Sequence, residues 1–386
     1  MFEAIAQWRA MRRFQALAEE QREIVFYSEG SEYWVHLEPL IRHLVNDFKR
    51  TVCYLSSQAD DPGLAQDHPG ILPFQIGDAT VRTAVFRALK ARVLVMTMPD
   101  LQTLYVKRSA YPVHYVHVFH AIVSTHMVYR KNAFDHFDTL FCVGPHHMEE
   151  VRRAEELYGL KPKNLVEHGY GRLDSIMHNA GSGGAEPGSN DLPRILLAPS
   201  WGGFGRQGLL ETAGRELITT FLDAGFHVTL RPHPMTRRLL PEMLAELVAK
   251  FADRPHFVYE GNVAPESSLH AADLMLSDWS GASFDYAYGL ERPVLFIDVP
   301  RKINNADHGE LGIEPLEAKV RSEIGVIVPP DQIARAPEVA RQLVADAAGY
   351  AERIRQSRSR WVYNVGNSGR RGAEHVIKLC QDLAPS

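Results

Sequence analysis

The sequence predicts an α/β protein of two domains, each built on a parallel sheet. Short apolar, β-branched runs alternate with amphipathic helical segments along most of the chain, as strands buried on both faces and joined by helices require. The alternation breaks once, at 179–193 (NAGSGGAEPGSNDLP), where Gly, Ser, Asn and Pro leave little to bury. A length of 386 residues also exceeds what a single compact core usually serves.

In chain order, the first segment is an amphipathic helix with Phe2, Ile5, Trp8, Met11 and Phe14 at helical spacing and Arg9, Arg12 and Arg13 beside them. It reads as packing on its own domain, with docking on an anionic inner leaflet as the alternative. The runs IVFY (24–27), TVCYLSS, VLVMTM, YVHVFH and TLFCVG read as strands, separated by the helical YWVHLEPLIRHLVNDF and TVRTAVFRALKA and followed by the helical PHHMEEVRRAEELYG. After the break, RILLAPS, HVTLRPHP, HFVYEG, ADLMLSD and PVLFID read as strands, with helices near 209–224, near 240–253, from about 281 and from about 331. The expected division is therefore an N-terminal domain over 1–178, a linker or surface insertion over 179–193 and a C-terminal domain over 194–370. A last helix within 371–386 is expected to cross back to the first domain.

Composition narrows the function. A formal net charge of −5 argues against a mainly nucleic-acid-binding role. The three cysteines, Cys53, Cys142 and Cys380, are far apart and form neither a disulfide framework nor a CxxC knuckle, which fits a reducing, cytoplasmic compartment. No stretch approaches the roughly 20 apolar residues of a membrane span. The start has no continuous apolar signal-peptide region.

Two segments of the C-terminal domain suggest anion chemistry. In HVTLRPHPM (227–235) a strand ends in Arg231 and His233, with prolines restricting the backbone on both sides of the imidazole. A guanidinium suits bidentate phosphate binding, and a histidine can donate to developing charge or move a proton. In SDWSGASFDYAYGL, Ser277, Asp278, Ser280, Gly281 and Ser283 lie between a strand and a helix start, where free N–H groups and the helix dipole suit a phosphate. The plainer reading makes Asp278 or Ser280 a simple N-cap. APSWGGFGRQG (198–208), with Ser200, follows the first strand of that domain as a candidate nucleotide wall, although it is not a P-loop.

In the N-terminal domain, YPVHYVHVFHAIVSTH holds His114, His117, His120 and His126. Its β-branched and aromatic content reads as a strand, with His114 and His120 on one face, so no metal site is expected. His120, at the strand's carboxyl end, is the candidate general base. In HGYGRLDSI (168–176), Arg172 and Asp174 follow a glycine turn, where they could pair, line the cleft or cap a helix; Asp285 is a further cleft-lining candidate.

Taken together, VFHAIVSTH, HGYGRLDSI, ILLAPSWG, LRPHP and ADLMLSDWSGASFDYAYGLERPVLFID resemble the CDP-glycerol glycerophosphotransferase family, the teichoic-acid and capsule-polymer enzymes, over roughly residues 110–300. The resemblance implies a GT-B-like fold, two Rossmann-like domains facing across a cleft, with no metal or cofactor. It implies His120 as base on the acceptor hydroxyl, Arg231 and His233 on the donor pyrophosphate, and Ser280 on phosphate near the helix start. Gly281 stands in place of the family's second Ser, which leaves only a backbone contact there.

The expected activity is transfer of glycerol phosphate, or a related alditol or sugar phosphate, from a CDP-activated donor to a hydroxyl of a polyol-phosphate or glycan acceptor, lipid-linked included, releasing CMP. The enzyme is expected in the cytoplasm, with the inner membrane face as a peripheral contact. The alternatives are a glycosyltransferase or sugar-nucleotide epimerase on the same fold, and a non-catalytic nucleotide-binding component of a polymer-assembly complex.

Overall fold

The computed structural model describes all residues except 1, 104–105, 182–191, 204–205, 262–265 and 385–386. Most of the expected linker, 179–193, thus lies outside the described residues, as do 204–205 of the glycine-rich loop. The chain divides into two compact units. The first comprises Met1–Ile122, Tyr129–Ser175 and Trp361–Ser386, and the second Val123–Val128 with Ile176–Arg360. The chain thus changes unit at 122/123, 128/129, 175/176 and 360/361, where sequence alone suggested boundaries at 178 and 370 only.

The first unit carries a 7-stranded parallel sheet of β1 (Ile24–Ser28), β2 (Val52–Ser56), β3 (Ile71–Gln75), β4 (Val93–Met96), β5 (His114–Val118), β6 (Thr139–Cys142) and β7 (Asn164–Glu167). Its order is β3-β2-β1-β4-β5-β6-β7, so the direction of winding reverses between β1 and β4. Every residue of β1, β2, β4 and β6 is buried, which explains their unbroken apolar sequences. Leu37, Leu40, Ile41 and Leu44 of the helix Trp34–Asn46 pack on this sheet together with Ala373, Val376 and Leu379 of the helix Ser368–Asp382.

That last helix lies close on its neighbour because Gly369 faces Pro39. A Cβ at Gly369 would sit 2.7 Å from the Pro39 backbone. The N-terminal helix Phe2–Gln15 packs through Phe14, which is 2% exposed and meets Phe74 edge-on at 5.6 Å, while Ile5 and Trp8 stay 44% and 42% exposed. Burying one such phenyl ring is worth roughly 2 kcal/mol. Among the described residues no helix is long and apolar enough to cross a membrane.

The second unit carries a 6-stranded parallel sheet of β8 (Arg194–Leu197), β9 (His227–Leu230), β10 (Phe257–Tyr259), β11 (Leu274–Ser277), β12 (Val294–Ile297) and β13 (Gly325–Val328), in the order β10-β9-β8-β11-β12-β13. Here the winding reverses between β8 and β11. In sheets of this kind ligands bind outside the carboxyl ends of the strands at the reversal point.

Three strands were not anticipated from sequence: β3, β7 and β13. All are edge strands; β3 and β7 hold polar or partly exposed positions that interrupt the apolar run of the central strands, whereas β13 (GVIV) is apolar throughout. β3 also contains Pro73, which an edge tolerates. The helix expected near 240–253 is Pro241–Phe251, started by Pro241, and a short helix not anticipated from sequence, Pro234–Leu239, precedes it. His120 lies two residues beyond β5, so it does not share a strand face with His114.

Candidate active site

In the second unit the loops after β8, β9, β11 and β12 gather charged and polar groups at one sheet edge. Asp278, 1% exposed, accepts hydrogen bonds from the Ser200 N–H (2.7 Å) and Ser200 Oγ (3.0 Å), joining the loops after β8 and β11 across the reversal point. Burial raises the Asp278 pKa, while the Ser200 bonds and the Lys302 charge act against that rise. His233, after β9, lies with its ring 6.4 Å from that of Trp201. Lys302, after β12, is 5.4 Å from the Trp201 ring centroid.

His233 has a defined tautomer. Its Nδ1 accepts the Met235 N–H at 3.0 Å, so the proton of the neutral ring is on Nε2. Burial first, and then the Lys302 charge, push its pKa down to about 3. At neutral pH it is therefore an uncharged hydrogen-bond donor through Nε2. Lys302 carries the positive charge of the cluster, its own pKa lowered by burial and supported by Asp278 and Glu317.

Several of the expected phosphate ligands make hydrogen bonds within the loops themselves. Ser277 is fully buried and donates Oγ–H to the Ala198 carbonyl (2.8 Å), and Ser283 donates to the Ser280 carbonyl (2.7 Å). Ser200 and Asp278 bind each other. These side chains build the loop, because buried hydroxyls need partners and the backbone supplies them. Arg231 is buried and turned to Ser268 Oγ (3.2 Å) and to Glu260 at 4.0 Å, on the β10 side.

What remains for an anion is the start of the helix Ala282–Leu290. Ser280 Oγ accepts the Ala282 N–H (3.3 Å), and the N–H groups of Ser280 and Gly281 make no hydrogen bond among the described residues. A Cβ at Gly281 would meet only Val123, at 3.5 Å, so the position has room for the serine it replaces. Asp285 is buried in the first turn of the same helix, where a carboxylate suits the dipole.

In the first unit His120 sits past β5 among Tyr33, His36 and Tyr129, at ring-centroid distances of 5.4, 5.9 and 6.2 Å. Burial lowers its pKa to about 4 against a backbone hydrogen bond with Thr97. Its Nδ1 has no hydrogen-bond partner. The ring is thus neutral at physiological pH and able to take a proton. The Arg172 charge acts on His36, whose pKa is lowered chiefly by burial, so Arg172 belongs to this neighbourhood. Asp174 does not. It accepts from the Gly366 and Ser368 N–H groups (both 2.7 Å) and Ser368 Oγ (2.5 Å), holding the start of the last helix.

Two other histidines of the cluster pack within the first unit. His117 is fully buried against Phe119, Phe134 and Phe137, and His114 bonds Thr139 Oγ1 at 2.8 Å. The main residue sequence reasoning missed in the second unit is Lys302. It lies four residues beyond the apolar run PVLFID, in the loop after β12, where nothing in the sequence separates it from the neighbouring Arg301.

Two crystal structures of the wall teichoic acid polymerase TagF are similar to this chain, at 15% and 14% identity and TM-scores of 0.61 and 0.60. They cover 99% of this chain and 96% and 95% of theirs. A UDP-GlcNAc 2-epimerase of Methanocaldococcus jannaschii, in complex with UDP-GlcNAc and UDP, is 15% identical over 92% of this chain and 99% of its own, with a TM-score of 0.55. At these identities the likeness speaks for the fold, the GT-B class of α/β protein. No curated protein sequence matches significantly. The family profile described as CDP-glycerol:poly(glycerophosphate) glycerophosphotransferase matches residues 11–303, a span that contains His120, His233 and Lys302, and the chain is therefore a member of that family of transferases.

Proposed function

We propose that the enzyme transfers glycerol phosphate from CDP-glycerol to a hydroxyl of a teichoic-acid-like or other cell-surface glycan acceptor and releases CMP. The observation that carries this reading is His120, a neutral imidazole with an unpartnered Nδ1 at the carboxyl edge of the first sheet. In the reaction His120 takes the proton of the acceptor hydroxyl as its oxygen bonds to the β-phosphorus of the donor. The bond from that phosphorus to the bridging oxygen breaks, and CMP leaves with the electron pair. His233 Nε2–H, Lys302 and the N–H groups of Ser280 and Gly281 bind the donor phosphates and offset the charge that builds on them. Fixed donors of this kind usually supply the largest catalytic term.

A lipid-linked acceptor agrees with the N-terminal helix, whose exposed Ile5 and Trp8 lie beside exposed Arg9 and Arg12. We place the enzyme in the cytoplasm, with this helix as a weak contact to an anionic membrane face.

The test is identification of the leaving nucleotide. Incubation with CDP-glycerol and a hydroxyl-ended acceptor should release CMP. Release of UDP or GDP from a nucleotide sugar, with none of CMP, would replace phosphotransfer by glycosyl transfer. Thermal stabilisation by CDP-glycerol, and not by UDP-GlcNAc, would identify the donor independently of turnover.

A further inference from the structure

The first sheet reverses its winding between β1 and β4, and Glu29 is the first residue after β1. On the other side of that point, Thr97 and Asp100 follow β4. Glu29 is therefore placed where a sheet of this topology offers a crevice, beside the base but outside every motif used so far.

Its surroundings are incomplete. The Glu29 carboxylate and the phenolic hydroxyls of Tyr33 and Tyr129 make no hydrogen bond among the described residues, and all three side chains are partly exposed, so their polar heads can meet a ligand. The two phenols lie within the electrostatic reach of Glu29 and flank His120. Behind them His36, 8% exposed, has an Nδ1 without a partner. Two accessible phenols beside one neutral imidazole, with a carboxylate close to both phenols, form the polar lining that a small hydroxylated ligand needs.

The chemistry of these heads identifies the ligand class. A carboxylate accepts hydroxyl protons, phenols donate and accept, and aromatic edges cover C–H surface. Negative charge is concentrated here in Glu29, Glu32 and Asp100. Of the nearby cations, Arg130 is paired with Asp100 at 2.6 Å, Arg82 donates to Tyr27 Oη at 3.3 Å, and the Arg172 charge is felt at His36, behind the phenols. Burial, with Glu32 and Asp100 adding to it, raises the Glu29 pKa to about 7 in spite of Arg82, which is the behaviour of a carboxyl short of partners.

We propose that Glu29, Tyr33 and Tyr129 form the acceptor-binding site beside His120, and that it takes an uncharged polyol or sugar end with neighbouring hydroxyls and rejects a phosphorylated end. This deepens the transfer reaction proposed above and rests on it for the role of His120. The site orders one terminal hydroxyl toward the base by holding the next.

Saturation-transfer NMR on the full chain with glycerol, ribitol and sn-glycerol 3-phosphate tests the site without any turnover. Ribitol should bind and the phosphate ester should not. Tyr33→Phe and Tyr129→Phe should each weaken ribitol about threefold to tenfold, and Glu29→Ala about tenfold or more. CDP-glycerol affinity, measured by calorimetry, should stay unchanged in each variant. The tyrosine variants remove one oxygen atom, so a lost fold does not confuse the result, and circular dichroism checks it. Ribitol binding equal to wild type in all three variants, or tighter binding of the phosphate ester than of ribitol, would overturn the proposal. Failure of wild-type protein to bind CDP-glycerol would overturn the donor reading instead, and the polyol titrations would still decide this site.

Discussion

Asp278 holds Ser200 by two hydrogen bonds, one from its backbone N–H and one from its hydroxyl, across the point where the second sheet reverses its winding. A fully buried carboxylate that accepts twice from one residue acts as a clamp between two loops, so its removal strands two donors. Asp278→Ala should lower stability by about 2–4 kcal/mol, read as a fall in the melting temperature of the second unit. Asp278→Asn keeps one acceptor and should lose less. Equal stability of wild type and Asp278→Ala would show that the clamp contributes nothing.

His120→Ala should reduce CMP release with the correct acceptor by about 10²–10⁴-fold and leave CDP-glycerol affinity unchanged. With a pKa near 4, His120 is already in its basic form across the physiological range. Activity limited by this group should therefore fall only as the pH drops toward 4. Wild-type turnover by the alanine variant would end the assignment.

Lys302 is felt by both His233 and Asp278. Lys302→Gln should raise the His233 pKa from its value of about 3, because a neighbouring cation that disfavours protonation is gone. It should stay below the ordinary value of 6.5, since burial is the larger cause. NMR titration of the ring reads the shift. The same variant should bind CDP-glycerol about 10-fold more weakly or worse. An unmoved His233 titration would place Lys302 away from the ring.

Acid should destabilise the protein below about pH 6.5. His120 and His168 titrate near 4 and His233 near 3 when folded, against 6.5 when unfolded. Between those values the unfolded chain binds more protons, so stability falls as pH drops. The buried His168 alone is worth on the order of 3 kcal/mol at full effect. Glu29 acts in the opposite sense, holding a proton when folded up to about pH 7 against 4.5 unfolded, as do Asp174 and Asp278, whose pKa burial raises. The histidines outnumber these three carboxyls, because burial lowers the pKa of His36, His114, His117 and His375 as well. A melting temperature that rises from pH 7 to pH 5 would contradict this balance.

Gly369→Ala should destabilise the first unit by about 1–3 kcal/mol, because its new methyl group meets the Pro39 backbone at 2.7 Å. Chemical denaturation followed by the fluorescence of Trp34 and its neighbours would detect it. An unchanged midpoint would mean that the last helix shifts freely on the helix Trp34–Asn46.

The sequence alone determined the fold class and the central strands, because strands buried on both faces must be apolar throughout and therefore announce themselves. It also pointed to His120 and His233, since prolines and strand ends mark where side chains are presented. It missed three of the four edge strands, β3, β7 and β13, and of these β3 and β7 carry polar or partly exposed positions that break the apolar run. It could not separate structural hydroxyls from free ones, since Ser277, Ser280 and Ser283 look alike in a string of letters. Only the tertiary structure decided that Ser277 and Ser283 are committed to backbone carbonyls, that Arg231 faces Ser268 and Glu260, that Lys302 lies close to His233, and that Tyr33 and Tyr129 flank His120. Those outcomes depend on which strand lies next to which, and that is settled by packing between segments far apart along the chain.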